Sequence, residues 1–341
     1  MKIAVANALL PSDEQSGVPY QVHRLANAFA SLGHDVTVFS FSPKPIDATY
    51  AVRTLPRRSR FRKLDPFFFA YELARVEFSA FDILHVHGDS FLLWNSHPHV
   101  RTFHGSAADE AKAATTVRRR LFFHVVNVLE QLSSRFSDHN TGNSEATLRR
   151  FATNASVVDC GVDVTLFSPG LKTRHPTILF VGTTEGRKRG AWLAELFTRN
   201  VLPQVPDAEL LMVSDKAVHL RGVRDIGRVS DERLAELFRS SWIFCLPSTY
   251  EGFGVPYIEA MASGTAVVAS PNPGSCEILC ANAYGILATD DVLGRALVDL
   301  LEDDDRREAL QRAGLARSKI YAWETIAAQY VEIFRRVIDG R

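Results

Sequence analysis

Cysteine is scarce in this chain of 341 residues: Cys160, Cys245, Cys276 and Cys280 are the four, and no Cys-x-x-Cys pair occurs among them. That spacing excludes a zinc ribbon, a thioredoxin-type redox pair and a disulfide-stapled fold. The four thiols are expected to be reduced and buried, acting as small hydrophobes. An excess of charge is lacking too, since 39 basic and 39 acidic residues cancel to a formal net charge of zero. Bulk electrostatics therefore recruit neither nucleic acid nor a membrane. No apolar run approaches the ~18 residues of a membrane-crossing helix. The opening Lys2-Ile3-Ala4-Val5-Ala6 is too short for a secretory leader, so the expected location is cytoplasmic. Finally, no Gly-x-Gly-x-x-Gly follows the first apolar run, which argues against a dinucleotide oxidoreductase.

What is present is an ordinary globular composition, 46% hydrophobic and 23% charged, in a chain long enough for two cores. Short apolar runs alternate with helical patterns throughout, the sequence form of a doubly wound α/β fold. Strand candidates in the first half are Ile3–Ala8, Val36–Phe41, Ile83–His87, Val100–His104, His139–Asn143 and Val157–Cys160. In the second half they are Thr177–Val181, Glu209–Val213, Val223–Ile226, Trp242–Leu246 and Ala266–Ala269. Breakers and polar residues cluster at 168–176. The expected division is therefore a domain over 1–168, a linker over 169–176, a second domain over 177–321 and a last helical segment over 322–341. Ile326, Tyr330, Phe334 and Val337 share one face of that last helix.

The most informative stretch is Pro247-Ser248-Thr249-Tyr250-Glu251-Gly252-Phe253-Gly254-Val255-Pro256-Tyr257-Ile258-Glu259. The apolar run before it reads as a buried parallel strand, Pro256 suits a first helical turn, and Gly264 suits the helix end. Glu251 then lies at the carboxyl end of a strand, where open α/β sheets bind ligands. Glu259 falls about one turn into the following helix, whose free N–H groups attract phosphate. Gly252 and Gly254 let backbone approach a ligand, and carboxylates accept bonds from hydroxyls. One turn can thus grip a polyol and a diphosphate together, the two halves of a nucleotide sugar.

This stretch resembles the E-x7-E signature of glycosyltransferase family 4, retaining enzymes with the GT-B fold. Two glutamates at that spacing are common on solvated helices; Gly-Phe-Gly between them and Ala-Met-Ala-Ser-Gly after them make the match specific. Further segments follow in order: Gly17-Val18-Pro19, Phe81-Asp82-Ile83-Leu84-His85-Val86-His87, Arg101-Thr102-Phe103-His104-Gly105, Cys160-Gly161-Val162-Asp163, Arg187-Lys188-Arg189-Gly190 and Gly227-Arg228-Val229-Ser230. The resemblance covers nearly the whole chain. It implies two Rossmann-like domains facing across a cleft, the first binding acceptor and the second the nucleotide sugar. It also implies a last helix that crosses back to the first domain. The implied reaction moves a hexose from a UDP- or GDP-sugar to a glycan, lipid-linked or small-molecule acceptor. The alternative is a non-catalytic sugar- or partner-binding paralogue.

By resemblance, Glu259 holds the ribose hydroxyls, and Glu251 holds the sugar with the amides of Gly252, Phe253 and Gly254. Val255, just before the helix that starts near Pro256, is counted with the donor-binding residues. A cation must meet that leaving group, because charge builds there in the transition state. Lys188 is the choice, with Arg187 supplying the cation that the family carries where this chain has Thr183. His104 is implied to contact the donor sugar, and Gly17 to lie near diphosphate and acceptor, with Ser16 replacing the first glycine of the family pair. Gly227, Arg228 and Val229 are implied to line the base pocket. Glu277 reads equally as a family acid or as the cap of the next helix. His85 and His87 share a strand face, a spacing that suits metal, but without a third ligand they read as structural. No metal or other cofactor is expected: the cations serve the diphosphate, and no Asp-x-Asp pair appears where a metal would bridge it.

One block stands apart. Pro56-Arg57-Arg58-Ser59-Arg60-Phe61-Arg62-Lys63-Leu64, followed by Pro66-Phe67-Phe68-Phe69, is basic and aromatic. It suits an anionic bilayer at the inner face of a membrane, or an acidic acceptor, or a solvated loop leading into a helix with a core-facing Phe stripe.

Overall fold

The computed structural model describes residues 1–13, 17–57, 64–88, 90–93, 97–108, 111, 116–149, 151 and 154–340. Strands that are apolar at successive positions need cover on both faces, which only a helix-flanked parallel sheet supplies. Two such sheets form. The first contains β1 (Lys2–Ala6), β2 (Asp35–Ser40), β3 (Ala51–Thr54), β4 (Ile83–Val86), β5 (His99–Phe103), β6 (His139–Gly142) and β7 (Ala155–Val157), in the order β3-β2-β1-β4-β5-β6-β7. The second contains β8 (Thr177–Gly182), β9 (Glu209–Ser214), β10 (Val223–Asp225), β11 (Ile243–Leu246), β12 (Ala266–Ala269) and β13 (Ile286–Leu287), in the order β10-β9-β8-β11-β12-β13. Every strand pair in both sheets is parallel.

The helices among the described residues are α1 (Gly17–Ser31), α2 (Asp65–Leu73), α3 (Val117–Phe136), α4 (Glu145–Leu148), α5 (Gly190–Leu196), α6 (Asp231–Ser240), α7 (Val255–Ala262), α8 (Pro273–Leu279), α9 (Leu293–Glu302), α10 (Asp304–Ser318) and α11 (Trp323–Asp339). No helix among the described residues is long and apolar enough to cross a membrane.

The chain divides into two units, Met1–Gly161 with Trp323–Arg341, and Val162–Ala322. In the first unit, one face of the sheet is covered by Val22, Leu25 and Phe29 of α1 together with Ile326, Tyr330, Phe334 and Val337 of α11. The shared face read from the sequence is thus the buried face of the last helix. Trp323 starts that helix against Gly161, where a Cβ would fall 2.3 Å from the indole, so only glycine fits. The other face is covered by Phe69 and Leu73 of α2.

Several boundaries differ from the sequence reading. The strands β3 and β13 are edge strands of four and two residues, too short and too mixed in polarity to show a period. The strand expected at Val157–Cys160 lies at Ala155–Val157 instead. The segment 168–176 is fixed to the second unit: Trp242 Nε1 donates to the Thr173 carbonyl at 2.8 Å, and Thr173 N donates to the Ser240 carbonyl at 2.9 Å. Cys160 and Cys245 are buried, but Cys276 and Cys280 are exposed, because α8 is short and turns them outward. In the basic and aromatic block, residues 58–63 lie outside the described residues. Arg57 is ion-paired with Asp65, and Phe69 is in the core.

Candidate active site

In both sheets the winding reverses at a central pair of strands, β1 and β4 in the first, β8 and β11 in the second. Crevices beyond the carboxyl ends of such a pair are where open α/β sheets bind ligands. In the second unit Arg187 and Lys188 follow β8 and Glu251 follows β11, whereas Gly227, Arg228 and Val229 follow β10.

After β8 the chain makes a tight turn, Gly186–Lys188, flanked by positive φ at Gly186 (75°) and Arg189 (59°). The turn splits three consecutive cations by direction. Arg189 points away, pinned to Asp290 through two bonds of 2.9 and 2.7 Å and stacked 3.8 Å over the Trp192 ring. Lys188 lays its stem along Gly182, where a Cβ would fall 2.7 Å from its Cδ, and brings Nζ to 3.1 Å from Glu251 Oε1. Arg187 Nη1 reaches the same oxygen at 2.7 Å and also donates to the Tyr250 carbonyl at 2.7 Å. Thr183, which stands where the family carries an arginine, donates its hydroxyl to the Glu185 carbonyl at 2.8 Å and so helps to shape this turn.

After β11 the loop to α7 is built around Glu251. Its carboxylate is buried and accepts from Ser248 Oγ at 2.7 Å. Burial pushes this carboxyl up, but Lys188, Arg187 and the Ser248 bond outweigh burial and hold it below its ordinary range. The following backbone has no room to vary. Gly254 has φ of 100°, and a Cβ there would fall 2.4 Å from the Tyr257 ring. Gly274 donates its N–H to the Glu251 carbonyl at 3.0 Å, and a Cβ on it would meet the Phe253 oxygen at 2.2 Å. Asn272 caps α8 in a capping box with Ser275 and donates to the Ser248 carbonyl at 3.0 Å. The cap of α8 is therefore Asn272, not Glu277. Sequence reasoning missed Ser248, Asn272 and Gly274; an Asn before Pro273 is a legible cap signal, but its reach to Ser248 is not.

Glu259 lies on α7, partly exposed yet closely surrounded. Burial and the nearby Asp231 raise its carboxyl to about 8, with Lys188 pulling the other way. Two glutamates eight positions apart thus hold opposite protonation states near neutral pH. Asp231 opens α6 directly after Gly227-Arg228-Val229-Ser230, so that turn lies beside α7. Gly227 has φ of 70°, and Arg228 is exposed.

In the first unit, Gly17 is the first residue of α1; its φ is not positive, and a Cβ would meet nothing within 4 Å. Neither packing nor backbone geometry explains a glycine there. Ser16 lies outside the described residues. His104 follows β5, and its Nε2 lies 2.9 Å from His87 Nδ1. His87 Nε2 lies 3.3 Å from His85 Nδ1, and His85 Nε2 lies 2.7 Å from Thr102 Oγ1. Thr102 in turn meets Tyr330 of α11 at 3.1 Å. Burial lowers His85 to about 3 and His104 to about 4, and lowers His87 strongly, so the three rings are neutral. His85 and His87 are engaged with each other and with Thr102 and His104, and among the described residues no cluster of three or more His, Cys, Asp or Glu could hold a metal. A small cavity of about 20 Å³, roughly one water, is lined by His104, His87, Gln21, Asn143, Cys160 and Tyr330 among others.

Two family descriptions match the sequence: "Glycosyltransferase Family 4" over residues 15–166 and "Glycosyl transferases group 1" over residues 163–317. The MMP alpha-(1->4)-mannosyltransferase of Mycolicibacterium hassiacum is 27% identical, covering 93% of this chain and 94% of its own. The phosphatidyl-myo-inositol mannosyltransferase of Mycobacterium tuberculosis is 29% identical over 75% of this chain and 74% of its own. Among solved structures, sucrose-phosphate synthase from Thermosynechococcus elongatus superposes with a TM-score of 0.78 at 21% identity, over the full length of both chains. WaaG, a glycosyltransferase of lipopolysaccharide biosynthesis, gives 0.75 at 14% over 97% and 99%. Both neighbours have the GT-B fold, which this chain shares.

Proposed function

The chain belongs to the group 1 glycosyltransferases of family 4, and from that membership we propose that it transfers mannose from a nucleotide diphosphate sugar to an acceptor hydroxyl with retention of anomeric configuration. The observation that carries this reading is the convergence of Lys188 and Arg187 on Glu251 at the reversal between β8 and β11. Two cations and a polyol-binding carboxylate sit together where a sugar diphosphate has its charge and its hydroxyls. Mannose is favoured because curated relatives matching most of this chain are mannosyltransferases.

In the proposed reaction the bond from the anomeric carbon to the diphosphate oxygen breaks, and the acceptor oxygen bonds to that carbon on the same face. A leaving-phosphate oxygen takes the acceptor proton. Lys188 and Arg187 stabilise the charge that develops on the diphosphate. Glu251 accepts from sugar hydroxyls, Glu259 from the ribose, and the Gly252–Gly254 amides donate to the donor. Gly227, Arg228 and Val229 border the base. His104 and Gly17 serve the transferred sugar and the acceptor, and no metal is required. The acceptor is a glycan, a lipid-linked sugar or a small molecule.

A thermal-shift panel of GDP-mannose, UDP-glucose and ADP-glucose tests the donor, since a ligand at 100 times its Kd stabilises by roughly 2.7 kcal/mol. Proton NMR of the first product then reads the anomer. An α-donor giving a β-linked product would overturn retention, and no shift with any donor would overturn the nucleotide-sugar reading.

A further inference from the structure

The longest helix described in the first unit carries a stripe of aliphatic residues on its exposed side, while Phe122, Phe123, Val126, Leu129 and Phe136 are partly buried. In α3, Val117, Leu121, Val125, Val128 and Leu132 are 81%, 65%, 49%, 58% and 36% exposed, whereas the buried residues of this helix are Ser133 and Ser134. The spacing of four, four, three and four residues keeps the five aliphatic side chains in one stripe along the helix. At 1.5 Å per residue, the rise from Val117 to Leu132 carries that stripe over about 23 Å of the helix. The helix is also locally basic in a chain of zero net charge: its sequence holds Arg118, Arg119, Arg120 and Arg135 against one acid, Glu130. Glu130 is turned to the Ala107 N–H at 3.0 Å, leaving no acid on the exposed arc. Arg118, His124 and Arg135 are exposed beside the stripe.

We infer that α3 docks the first unit on an anionic lipid bilayer, lying in the plane of the surface with the aliphatic stripe among the acyl chains and the arginines at the headgroups. Charge chooses this occupant. A second copy of the chain would bring the same arginines against each other, whereas an anionic headgroup layer complements them. The surface does not depend on the donor reading, and none of its residues belongs to the candidate active site. It also differs from the basic and aromatic block at 56–69, where Phe69 is in the core and Phe68 packs against it.

Vesicle flotation tests the inference. The full chain should float with vesicles of phosphatidylcholine containing 30% phosphatidylglycerol in low salt, and at least tenfold less with pure phosphatidylcholine. Adding 0.5 M salt should weaken binding, because screening shortens the reach of the arginines to a few ångströms. Leu121→Glu with Val125→Glu should abolish flotation while leaving the circular dichroism spectrum and donor-induced thermal shift unchanged. Arg118→Gln with Arg120→Gln should reduce binding by roughly fivefold per charge removed. Equal flotation of the wild type and the Leu121→Glu, Val125→Glu variant would overturn the inference. So would absence of flotation with anionic vesicles, or a dimer in light scattering that the same substitutions dissociate in a protein that does not float.

Discussion

His87 Nδ1 lies 2.9 Å from His104 Nε2, and this contact decides what His104 can offer on its other side. Two neutral rings share one proton across such a contact, so one nitrogen donates and the other accepts. His87 faces the same choice toward His85, and His85 toward Thr102. The chain therefore has two polarities. With every Nε2 protonated, His104 presents a bare Nδ1; with the order reversed, it presents an Nδ1–H donor. Tyr330 and Thr141, both hydrogen-bonded to Thr102, set the inner end. His87 and His85 act as positioning residues for His104.

His87→Phe should consequently lower kcat by on the order of 10–100-fold through misorientation of His104, with little change in nucleoside diphosphate affinity. His87→Gln, which can still donate and accept, should recover part of the loss. Steady-state kinetics beside calorimetry separates the two effects. An unchanged kcat in His87→Phe would mean that the polarity of this chain is irrelevant to turnover.

The same rings should make the fold sensitive to mild acid. Their folded pKa values lie at about 3 for His85 and about 4 for His104, against 6.5 unperturbed. Between those values the unfolded chain binds more protons, so stability rises with pH and is lost as pH falls below 6.5. Each group contributes a slope of up to about 1.4 kcal/mol per pH unit. Urea unfolding at pH 7 and pH 5 should show the loss, and His87→Phe should show a shallower one. Equal stability at both pH values would contradict the burial assigned to the rings.

Much of this arrangement was legible because its signals are local. Pro256 and the glycines around Phe253 announced the turn from β11 to α7, and the pattern Ile326, Tyr330, Phe334, Val337 announced the covered face of α11. The linking of His85, His87 and His104 was not legible, since it depends on β4 and β5 lying side by side in a particular register. Edge strands β3 and β13 escaped because pairing on one side demands little of their side chains. The stripe on α3 reads as core by period; its exposure emerges only once the sheet is seen to be covered by other helices. The fate of three consecutive cations was open until Asp290, more than a hundred positions away, claimed Arg189.

That partition yields a mutational series. Lys188→Ala should cost on the order of 10²–10³ in kcat, as removal of a preorganised charge does. Arg187→Ala should cost less, because its side chain is 51% exposed against 17% for Lys188 and water screens its charge. Arg189→Ala should cost least. A reversed order between Lys188 and Arg187 would place the leaving-group cation one residue earlier.

Gly274→Ala probes the loop from behind. The new Cβ would sit 2.2 Å from the Phe253 carbonyl oxygen, so the Gly252–Gly254 backbone must move. Overpacking of this kind costs about 1–3 kcal/mol. Donor affinity should fall along with the urea midpoint. A variant with a lowered midpoint and wild-type donor affinity would show that the loop's position is not what the donor reads.

Glu259 should couple nucleotide binding to a proton. Its carboxyl, raised to about 8 by burial and Asp231, is roughly nine-tenths protonated at pH 7. Ribose hydroxyls donate best to an ionised carboxylate, so binding favours the deprotonated form and must expel that proton. The sign is fixed: nucleoside diphosphate affinity should rise with pH, by up to about tenfold per unit, and level off near pH 8. Glu251 contributes no such slope, because Lys188, Arg187 and Ser248 keep it ionised at every pH in that range. Calorimetry in phosphate and in Tris, whose ionisation enthalpies differ, reads the released proton directly. Glu259→Gln should bind more weakly by about tenfold or more, as loss of a charge-assisted bond implies, and its heats should no longer depend on the buffer. Buffer-independent heats in the wild type would show that Glu259 keeps its protonation state on binding, and that the ribose is held by a neutral carboxyl or by another group.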